Sequence, residues 1–378
     1  MKAFINVRIL TDDGWRDDAA LLLKGAVIAD ICPLSDIADD IPSENLNGQM
    51  LVPGFIDVQV NGGGGLLIND APEVATLETV AEAHRKFGTT SLLPTLITDD
   101  WATKVKMAKA AAAAIKSDMP GIKGVHFEGP YLNKERKGVH NEAHIRAFED
   151  EFIDLVGRGN LGIVVVTLAP EKAGIEVIKR LVDSGVKVCA GHSNASYAET
   201  QAALEAGLSG FTHLYNAMPP FLSREPGIVG AALENKSSYA GIINDGFHVH
   251  PATLKSAIAA KGADHMMLVT DAMPPVGTGM TEFQLGDQLV KVREGRCETS
   301  GGTLAGSNLD MATAVRNTVS LLGQSLENAL KMASATPAAF LSIDDQYGKL
   351  AAGYVGDMVL LDNDLTVQKT WISGLSSD

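Results

Sequence analysis

The sequence has few cysteines and lacks any long uninterrupted apolar segment. Cys32, Cys189 and Cys297 lie far apart and form no CxxC pair, which argues against a disulfide framework and predicts reduced thiols, as in a cytoplasmic protein. No segment reaches the roughly 18 apolar residues that a membrane span requires. Asp12 and Asp13 interrupt the amino-terminal segment before the apolar stretch of a signal peptide develops. We therefore expect a cytoplasmic protein that does not span a membrane.

Positive charge is also scarce. The 31 lysines and arginines are outnumbered by 46 aspartates and glutamates, which gives a formal net charge of -15. Such an acidic chain argues against nucleic acid or an anionic membrane as a partner. An anionic substrate would therefore need a local positive site. Hydrophobic residues make up 46% of the chain and charged residues 20%, so a large core is available and disorder is not expected.

From Met50 onward, short apolar segments alternate with longer amphipathic ones. The apolar segments predict eight strands, at 51–60, 89–95, 122–129, 161–169, 186–192, 210–216, 239–245 and 265–271. The segments between them have helical periodicity, and two of these end on a glycine, a common helix stop. Eight strands joined by crossovers predict an α/β fold, a parallel (β/α)8 TIM-like barrel. A doubly wound open sheet is the alternative, but no GxGxxG follows the first strand.

The two ends of the chain have a different pattern. Residues 1–52 and 346–378 contain short strand-like segments and turns, with no clear helix. Strands from both ends could pair in a small sheet outside the barrel. We therefore predict a small β-sandwich-like domain built from residues 1–52 and 346–378, and a barrel formed by residues 53–345.

Four polar residues follow apolar segments that predict strands: Glu128, His192, His213 and Asp271. They end strands 3, 5, 6 and 8, and the active sites of such barrels lie at the carboxyl ends of the strands. One pocket could therefore collect all four. A carboxylate and two imidazoles can hold a divalent metal and leave a position for water, with the second carboxylate beside them as an acid or base. A single histidine of this kind is more often structural, but four such residues at equivalent positions predict a metal-assisted hydrolase.

Longer motifs surround these residues. They are PGFIDVQVNGGGG (53–65), HFEGPYLNKERKGVHN (126–141), AGHSNAS (190–196), THLYNAMPP (212–220), REPGIVG (224–230), NDGFHV (244–249), VTDAM (269–273) and GTLAGS (302–307). Through them the chain resembles, over essentially its whole length, the N-acetylglucosamine-6-phosphate deacetylases of the amidohydrolase superfamily. PGFID and TDA occur across that superfamily and specify little, whereas GHSNA, HLYNAMPP with REPG, and DGFH are much more specific.

The resemblance implies a metal held by Glu128, His192 and His213, with Asp271 as the acid/base that takes a proton from water and delivers it to the leaving amine. It also implies that His140 contacts the acetyl carbonyl and helps to stabilise the oxyanion. Zinc is the first expectation, and iron, cobalt and manganese tolerate the same ligands. The implied reaction is hydrolysis of the acetamide of N-acetylglucosamine 6-phosphate to glucosamine 6-phosphate and acetate, within amino-sugar catabolism and cell-wall sugar recycling.

The first barrel strand departs from the superfamily pattern. PGFID is usually followed by H-x-H, which binds a second metal, but this chain has Gln59 and Asn61 at those positions. Neutral amides are poor ligands for a transition metal compared with imidazole. We therefore expect one metal per subunit, as in the subgroup of these deacetylases that keeps Gln-x-Asn. Both amides are expected to bind substrate, with Gln59 close to the water that the metal holds.

The phosphate of such a substrate needs a positive partner. The resemblance places Arg224 on the sugar phosphate and His248, from a neighbouring subunit, on the same phosphate, which implies a homodimer. A guanidinium group suits a phosphate, although an exposed arginine could instead form a salt bridge with Glu225. By the same resemblance, Asn216 contributes through its side chain and Ala217 through its backbone.

Two other functions stay open at this point. A different amidohydrolase reaction, on a cyclic amide, a D-amino-acid amide or an N-acyl amino acid, would predict loss of the phosphate-site residues, yet Arg224 and His248 are both present. A catalytically inactive scaffold would be expected to have lost a metal ligand or Asp271, and none is missing. Turnover that a chelator abolishes would exclude the scaffold.

Overall fold

The computed structural model describes residues 1–377, and its amino-terminal part is built from short strands. These strands are β1 (Lys2–Ile5), β2 (Arg8–Thr11), β3 (Gly14–Arg16), β4 (Ala19–Lys24), β5 (Val27–Pro33), β6 (Ser43–Asn45) and β7 (Met50–Pro53). Strand β7 ends just before the first strand of the barrel, so the chain passes directly from one unit to the next.

The middle of the chain forms the barrel. Its strands are β8 (Phe55–Val60), β11 (Thr89–Ile97), β12 (Gly124–Glu128), β13 (Ile163–Leu168), β14 (Lys187–Ala190), β15 (Gly210–Phe211), β16 (Tyr239–Ile242) and β17 (Met266–Leu268). Between β8 and β11 the chain forms a short hairpin of β9 (Gly62–Gly63) and β10 (Leu66–Leu67). The eight barrel strands form one sheet in the order β17-β16-β15-β14-β13-β12-β11-β8, and each pair of neighbouring strands is parallel. The edges meet where Val60 bridges Ala272, which confirms the predicted (β/α)8 TIM-like barrel.

Helices cover the outside of the barrel. They are α1 (Val74–Arg85), α2 (Trp101–Lys116), α3 (Glu151–Val156), α4 (Pro170–Ala173), α5 (Ile175–Asp183), α6 (Tyr197–Glu205), α7 (Gly227–Glu234), α8 (Pro251–Lys261), α9 (Met311–Ser320), α10 (Leu326–Ala333) and α11 (Ala335–Leu341). Local sequence fixes where some of them start: the Asp100 side chain accepts from Thr103 N at 2.7 Å at the start of α2, and Ser196 with Glu199 forms a capping box on α6. Among residues 1–377, no helix is both long and apolar enough to cross a membrane.

The barrel strands are buried on both faces. Every residue of β8 and of β12 is buried, because helices cover the outer face and side chains from the other strands fill the inner one. This explains why these strands appear in the sequence as continuous apolar segments rather than as alternating ones. The few polar residues within them therefore stand out, and those at the carboxyl ends face the functional pocket.

An additional sheet follows β17. It consists of β18 (Glu282–Leu285), β19 (Gln288–Arg293), β20 (Arg296–Thr299) and β21 (Leu304–Ser307), paired antiparallel in that order. Its buried side, with Phe283 and Val290, packs against Leu67 and Met273 above the barrel. This sheet was not predicted from the sequence, and it adds a wall beside the carboxyl ends of the strands.

Strands from the two chain ends form the remaining sheets. The carboxyl-terminal strands are β22 (Met358–Leu361), β23 (Val367–Ile372) and β24 (Leu375–Ser376). One sheet has the order β5-β4-β1-β6, and the other, β24-β23-β22-β7-β2-β3, joins both ends of the chain. Phe4 and Trp371 pack edge to face between them, with ring centroids 5.2 Å apart. A β unit made from both ends is thus confirmed, while the boundaries at 52/53 and 345/346 stay predictions.

Candidate active site

The four strand-end residues meet at one end of the barrel. Glu128 is the last residue of β12, and His192, His213 and Asp271 lie just beyond β14, β15 and β17. These three have φ angles of 50°, 32° and 51°, in a region that residues other than glycine rarely adopt and that often marks functional sites. All four are buried, with exposed fractions between 2% and 9%. These three residues therefore adopt strained backbone conformations in bringing their side chains together with Glu128.

Three ligand-type atoms converge at the centre of this group. His192 Nε2 lies 3.0 Å and His213 Nε2 2.9 Å from Glu128 Oε1, and the two nitrogens are 3.0 Å apart. His192 Nδ1 is 2.8 Å from the Arg136 carbonyl oxygen, which can only accept, so the proton of a neutral ring sits on Nδ1 and Nε2 carries a lone pair. The lone pair of His192 Nε2, this close to a carboxylate oxygen, repels it unless positive charge lies between them. A divalent metal supplies that charge, and a carboxylate with two imidazoles is a donor set that such metals bind.

The pKa values of these residues point the same way. Burial alone would raise the pKa of Glu128, but the hydrogen bonds and charges of His192 and His213 outweigh it and hold that pKa well below its usual range. Burial alone would lower the pKa of His213, and the contact with Glu128 outweighs it, so the pKa is raised. Glu128 is therefore ionised and attracts positive charge to this point, which either an imidazolium ion or a metal cation can provide.

His140 adds a further imidazole. Glu128, His140 and His192 each offer a ligand atom within 4.8 Å of the others, so these three form a candidate metal-binding triad by proximity. However, the Thr98 backbone N–H, which can only donate, is 3.3 Å from His140 Nδ1, and Thr98 Oγ1 is 2.8 Å from it. Burial, with the neighbouring His192, lowers the pKa of His140 to about 3. The ring is therefore neutral, with its proton on Nε2, and acts as a hydrogen-bond donor.

Asp271 lies next to the cluster and shares hydrogen bonds with it. Gln59 Nε2 is 3.1 Å from Asp271 Oδ1 and 3.1 Å from Glu128 Oε2, and Asn61 Nδ2 is 2.6 Å from the same Oδ1. Burial first, and the charge of Glu128 second, raises the pKa of Asp271 to about 6. A carboxyl group with such a pKa can both take up and release a proton near neutral pH.

The turn that carries Asp271 is held on two sides. Asp271 N donates to Gln59 O at 3.0 Å, and Ser307 N of β21 donates to Asp271 O at 2.9 Å. Below the turn, the backbone N–H of Thr270 donates to Asp57 Oδ1 at 3.3 Å and its hydroxyl donates to Asp57 Oδ2. The barrel and the additional sheet together hold Asp271 in its strained conformation.

A cavity of about 340 Å³ opens over these residues. The predicted substrate residues in its wall are Asn61, His140, Asn216, Ala217 and His248. Gln59 does not line it and is 1% exposed, because its amide lies beneath, between two carboxylates. The cavity is large enough for a small polar molecule, and its wall has both hydrogen-bonding and apolar groups.

The two predicted phosphate residues do not lie together in the single chain. His248 was expected to reach a neighbouring subunit, but the structure places it in the wall of its own pocket. Asp245, just beyond β16, holds it there: Asp245 Oδ2 is 2.6 Å from His248 Nδ1, and Oδ1 accepts from His248 N at 2.9 Å. Arg224 is exposed on the loop before α7 and does not line the cavity.

Two residues that the sequence analysis did not single out contribute to the site. Arg136 lines the cavity, and its Nε donates to Asn194 Oδ1 at 2.5 Å. The sequence signal for Arg136 was that it forms, with Lys137, a basic pair between Glu128 and His140 in an otherwise acidic chain. Thr98 fixes the tautomer of His140. The sequence signal for Thr98 was its position just after a strand, β11.

Comparisons with known proteins agree with this geometry. The amidohydrolase family matches residues 50–376. An N-acetylgalactosamine-6-phosphate deacetylase of Shewanella sp. (strain ANA-3) is 46% identical over 370 residues, which cover 97% of this chain and 93% of that protein. The crystal structure of N-acetylglucosamine-6-phosphate deacetylase from Pasteurella multocida superposes with a TM-score of 0.96 at 36% identity, covering 100% of this chain and 99% of that one. A mutant of the Mycobacterium smegmatis N-acetyl-D-glucosamine-6-phosphate deacetylase, in complex with N-acetyl-D-glucosamine-6-phosphate, superposes at 0.90 with 30% identity over 99% of this chain and 98% of that one.

Proposed function

The chain belongs to the amidohydrolase family, and from this premise we propose that it is a metal-dependent deacetylase of an N-acetylhexosamine 6-phosphate. Its reaction is hydrolysis of the acetamide of N-acetylglucosamine 6-phosphate, which yields glucosamine 6-phosphate and acetate and serves amino-sugar catabolism and cell-wall sugar recycling. The observation that carries this proposal is the convergence of Glu128, His192 and His213 beside Asp271, in one pocket of a chain whose relatives are such deacetylases.

Glu128, His192 and His213 are the proposed ligands of one divalent metal per subunit, with zinc the first candidate. Their three ligand atoms form the tightest group in the site. His140 is set apart because its Nδ1 accepts from Thr98 N, which leaves a proton on Nε2. When bound, the metal supplies Lewis acidity, which acidifies a water molecule and polarises the amide carbonyl.

Two side chains of the protein take part in the reaction: Asp271 transfers protons, and His140 stabilises negative charge. Asp271 takes a proton from the attacking water and passes it to the amine nitrogen, because an amide nitrogen must be protonated before it can leave. The Nε2–H of His140 donates to the carbonyl oxygen as negative charge develops on it. Thr98 keeps this donor in the correct tautomer.

His248, Asn216 and Ala217 are the proposed contacts to the substrate from the wall of the pocket. Burial alone would raise the pKa of Asp245, but its hydrogen bond with His248 outweighs burial and holds that pKa below its usual range. The same hydrogen bond holds the His248 ring in the wall of the pocket. Arg224 remains a proposed phosphate ligand. Because it is exposed outside its own pocket, it would have to reach the phosphate of a neighbouring chain, which is consistent with the proposed homodimer.

A cytoplasmic location is proposed as well. Cys32, Cys189 and Cys297 are all free and buried, and buried reduced thiols suit a reducing compartment.

The first test measures amine release from N-acetylglucosamine 6-phosphate by chelator-stripped protein, with zinc added from zero to two equivalents. We expect activity that saturates near one equivalent and that strongly favours the phosphorylated sugar over N-acetylglucosamine. Asp271→Asn is the matched control, since it should bind the metal without turnover. Release that needs no metal, or none under any metal, would contradict the proposal.

A second substrate is favoured by one observation. The relative that is 46% identical to this chain is an N-acetylgalactosamine-6-phosphate deacetylase, and its substrate differs from N-acetylglucosamine 6-phosphate only in the configuration at C4. Both sugar phosphates present the same acetamide and the same phosphate to the site. The ratio of kcat/KM values for the two decides between them, and a ratio above one for the galactosamine form would make it the preferred substrate.

A further inference from the structure

Gln59 and Asn61, both predicted to bind substrate, have little exposed surface: Gln59 lies beneath the pocket, whereas Asn61 lines it. Gln59 lies on β8 and Asn61 just beyond it, and their exposed fractions are 1% and 2%. Their side-chain nitrogens reach the two carboxylates of the site, Glu128 and Asp271. The two amides therefore hold these carboxylates by hydrogen bonds within the protein.

The chemistry of the neighbours fixes which way each amide points. Gln59 Nε2 lies 3.1 Å from Glu128 Oε2 and 3.1 Å from Asp271 Oδ1, so each of its two protons meets a carboxylate oxygen. Turning this amide over would place its oxygen against two acceptors. Asn61 Nδ2 lies 2.6 Å from Asp271 Oδ1, and the same argument applies. Within residues 1–377, Asn61 Oδ1 has no partner, so its contact with Asp271 sets its orientation.

These contacts make the two oxygens of Asp271 unequal. Oδ1 accepts a hydrogen bond from each amide. Within residues 1–377, no group donates a hydrogen bond to Oδ2, and this oxygen is not fully enclosed by the protein. Since Asp271 lines the pocket, Oδ2 is the oxygen available to a reacting molecule. Gln59 also holds Glu128 by Oε2, while Oε1 faces the two imidazoles.

We propose that Gln59 and Asn61 are positioning residues: together they fix the Asp271 carboxylate so that Oδ2 is the oxygen that exchanges the proton, and Gln59 also orients Glu128 toward the metal. The catalytic part of this role rests on the proposed deacetylase function. Two amide donors thus stand where the superfamily pattern has a pair of metal-binding histidines, and they restrain Asp271 by hydrogen bonds.

Asn61→Ala tests the first half of the proposal. We expect kcat to fall about 10–100-fold, the range found when groups that orient a metal site are lost, while KM and metal content stay close to the wild-type values. A crystal structure of this variant should show the Asp271 carboxylate rotated or in more than one orientation. Asn69→Ala is the matched control, because this amide bonds to Ile97 and Asp99 nearby but not to Asp271, and its kcat should be close to that of the wild type.

Gln59→Ala tests the second half through metal affinity, which does not depend on the substrate. In a competition titration with a coloured chelator, zinc should bind this variant about 10–100-fold more weakly than the wild type, whereas Asn61→Ala should bind it normally. Unchanged zinc affinity in Gln59→Ala would overturn the role at Glu128.

The outcomes separate this proposal from the proposed function. Wild-type kcat in Asn61→Ala, or a raised KM with an unchanged kcat, would overturn the positioning role while leaving the deacetylase assignment intact. An unaltered, single orientation of Asp271 in the crystal structure of that variant would overturn it as well. If the wild type cleaves neither sugar phosphate but Asp271 turns in Asn61→Ala, the proposed substrate is wrong and the positioning role stands.

Discussion

Asp57 offers a direct test of how burial controls charge beneath the active site. Its side chain is 0% exposed, and its Oδ1 accepts from Gln59 N at 3.2 Å and from Thr270 N at 3.3 Å. Burial outweighs these hydrogen bonds and raises the pKa of Asp57 from 3.8 to about 7. The prediction is that Asp57→Asn, which cannot ionise, changes how the stability of the protein depends on pH.

The sign follows from the direction of this shift. Because the folded-state pKa lies above the unfolded one, the folded state binds the proton more tightly, and stability falls as pH rises between the two values. At about 1.36 kcal/mol per pKa unit, a shift of about 3 units costs about 4 kcal/mol above pH 7. Asn keeps an oxygen that accepts from both backbone N–H groups. The stability of Asp57→Asn relative to the wild type should therefore increase by about 2–3 kcal/mol between pH 5 and pH 8.

Urea unfolding followed by tryptophan fluorescence at both pH values, in the presence of a chelator, measures this difference. The chelator matters because a bound cation nearby would favour the ionised form of Asp57, so the pH dependence should shrink when metal is restored. Asp39→Asn, at an exposed position, is the control and should show no such pH dependence. If the free energies of unfolding of the two Asn variants depend on pH in the same way, the pKa of Asp57 is not raised in the folded state, which would refute the prediction.

Three further predictions concern turnover. Asp271→Asn should retain the metal but lose about 10²–10⁴-fold in kcat, and a near-normal rate would remove Asp271 as the acid/base. His140→Ala should lose about 10²–10³-fold in kcat, as for an oxyanion donor, with full metal content by elemental analysis; loss of the metal would instead make His140 a ligand. His248→Ala should raise KM for the phosphorylated sugar more than for the unphosphorylated one, and equal effects in steady-state assays would place His248 away from the phosphate.

The barrel and the cluster at its mouth could be predicted because both depend on strand ends. Once the apolar segments are identified as parallel strands, Glu128, His192, His213 and Asp271 must lie near the same edge, and the structure places them there. The additional sheet was missed because its strands are short and partly exposed: Gln288–Arg293 has one fully buried residue in six. Such a strand has little of the continuous apolar pattern that reveals the barrel strands.

Side-chain direction and loop path set the limits of the prediction. The spacing of Gln59 and Asn61, at and just beyond the end of β8, predicts that both side chains point to the same side, but it does not show that their amides contact carboxylates. His248 and Arg224 lie on loops, and the position of a loop residue depends on contacts such as that between Asp245 and His248, which involve no regular spacing. Family resemblance named these residues without fixing the pocket that each one serves.

The sheet that joins both chain ends has a consequence for protein synthesis. Strand β7 ends at Pro53 and pairs with β22, which starts at Met358. At ribosomal rates of about 5–20 residues per second, roughly 15–60 s separate the emergence of the two strands. During that interval the edge of β7 is unpaired and open to contact with other nascent chains. The barrel is synthesised entirely within this interval. A chain released before Met358 would therefore contain the whole barrel but expose the unpaired, aggregation-prone edge of β7.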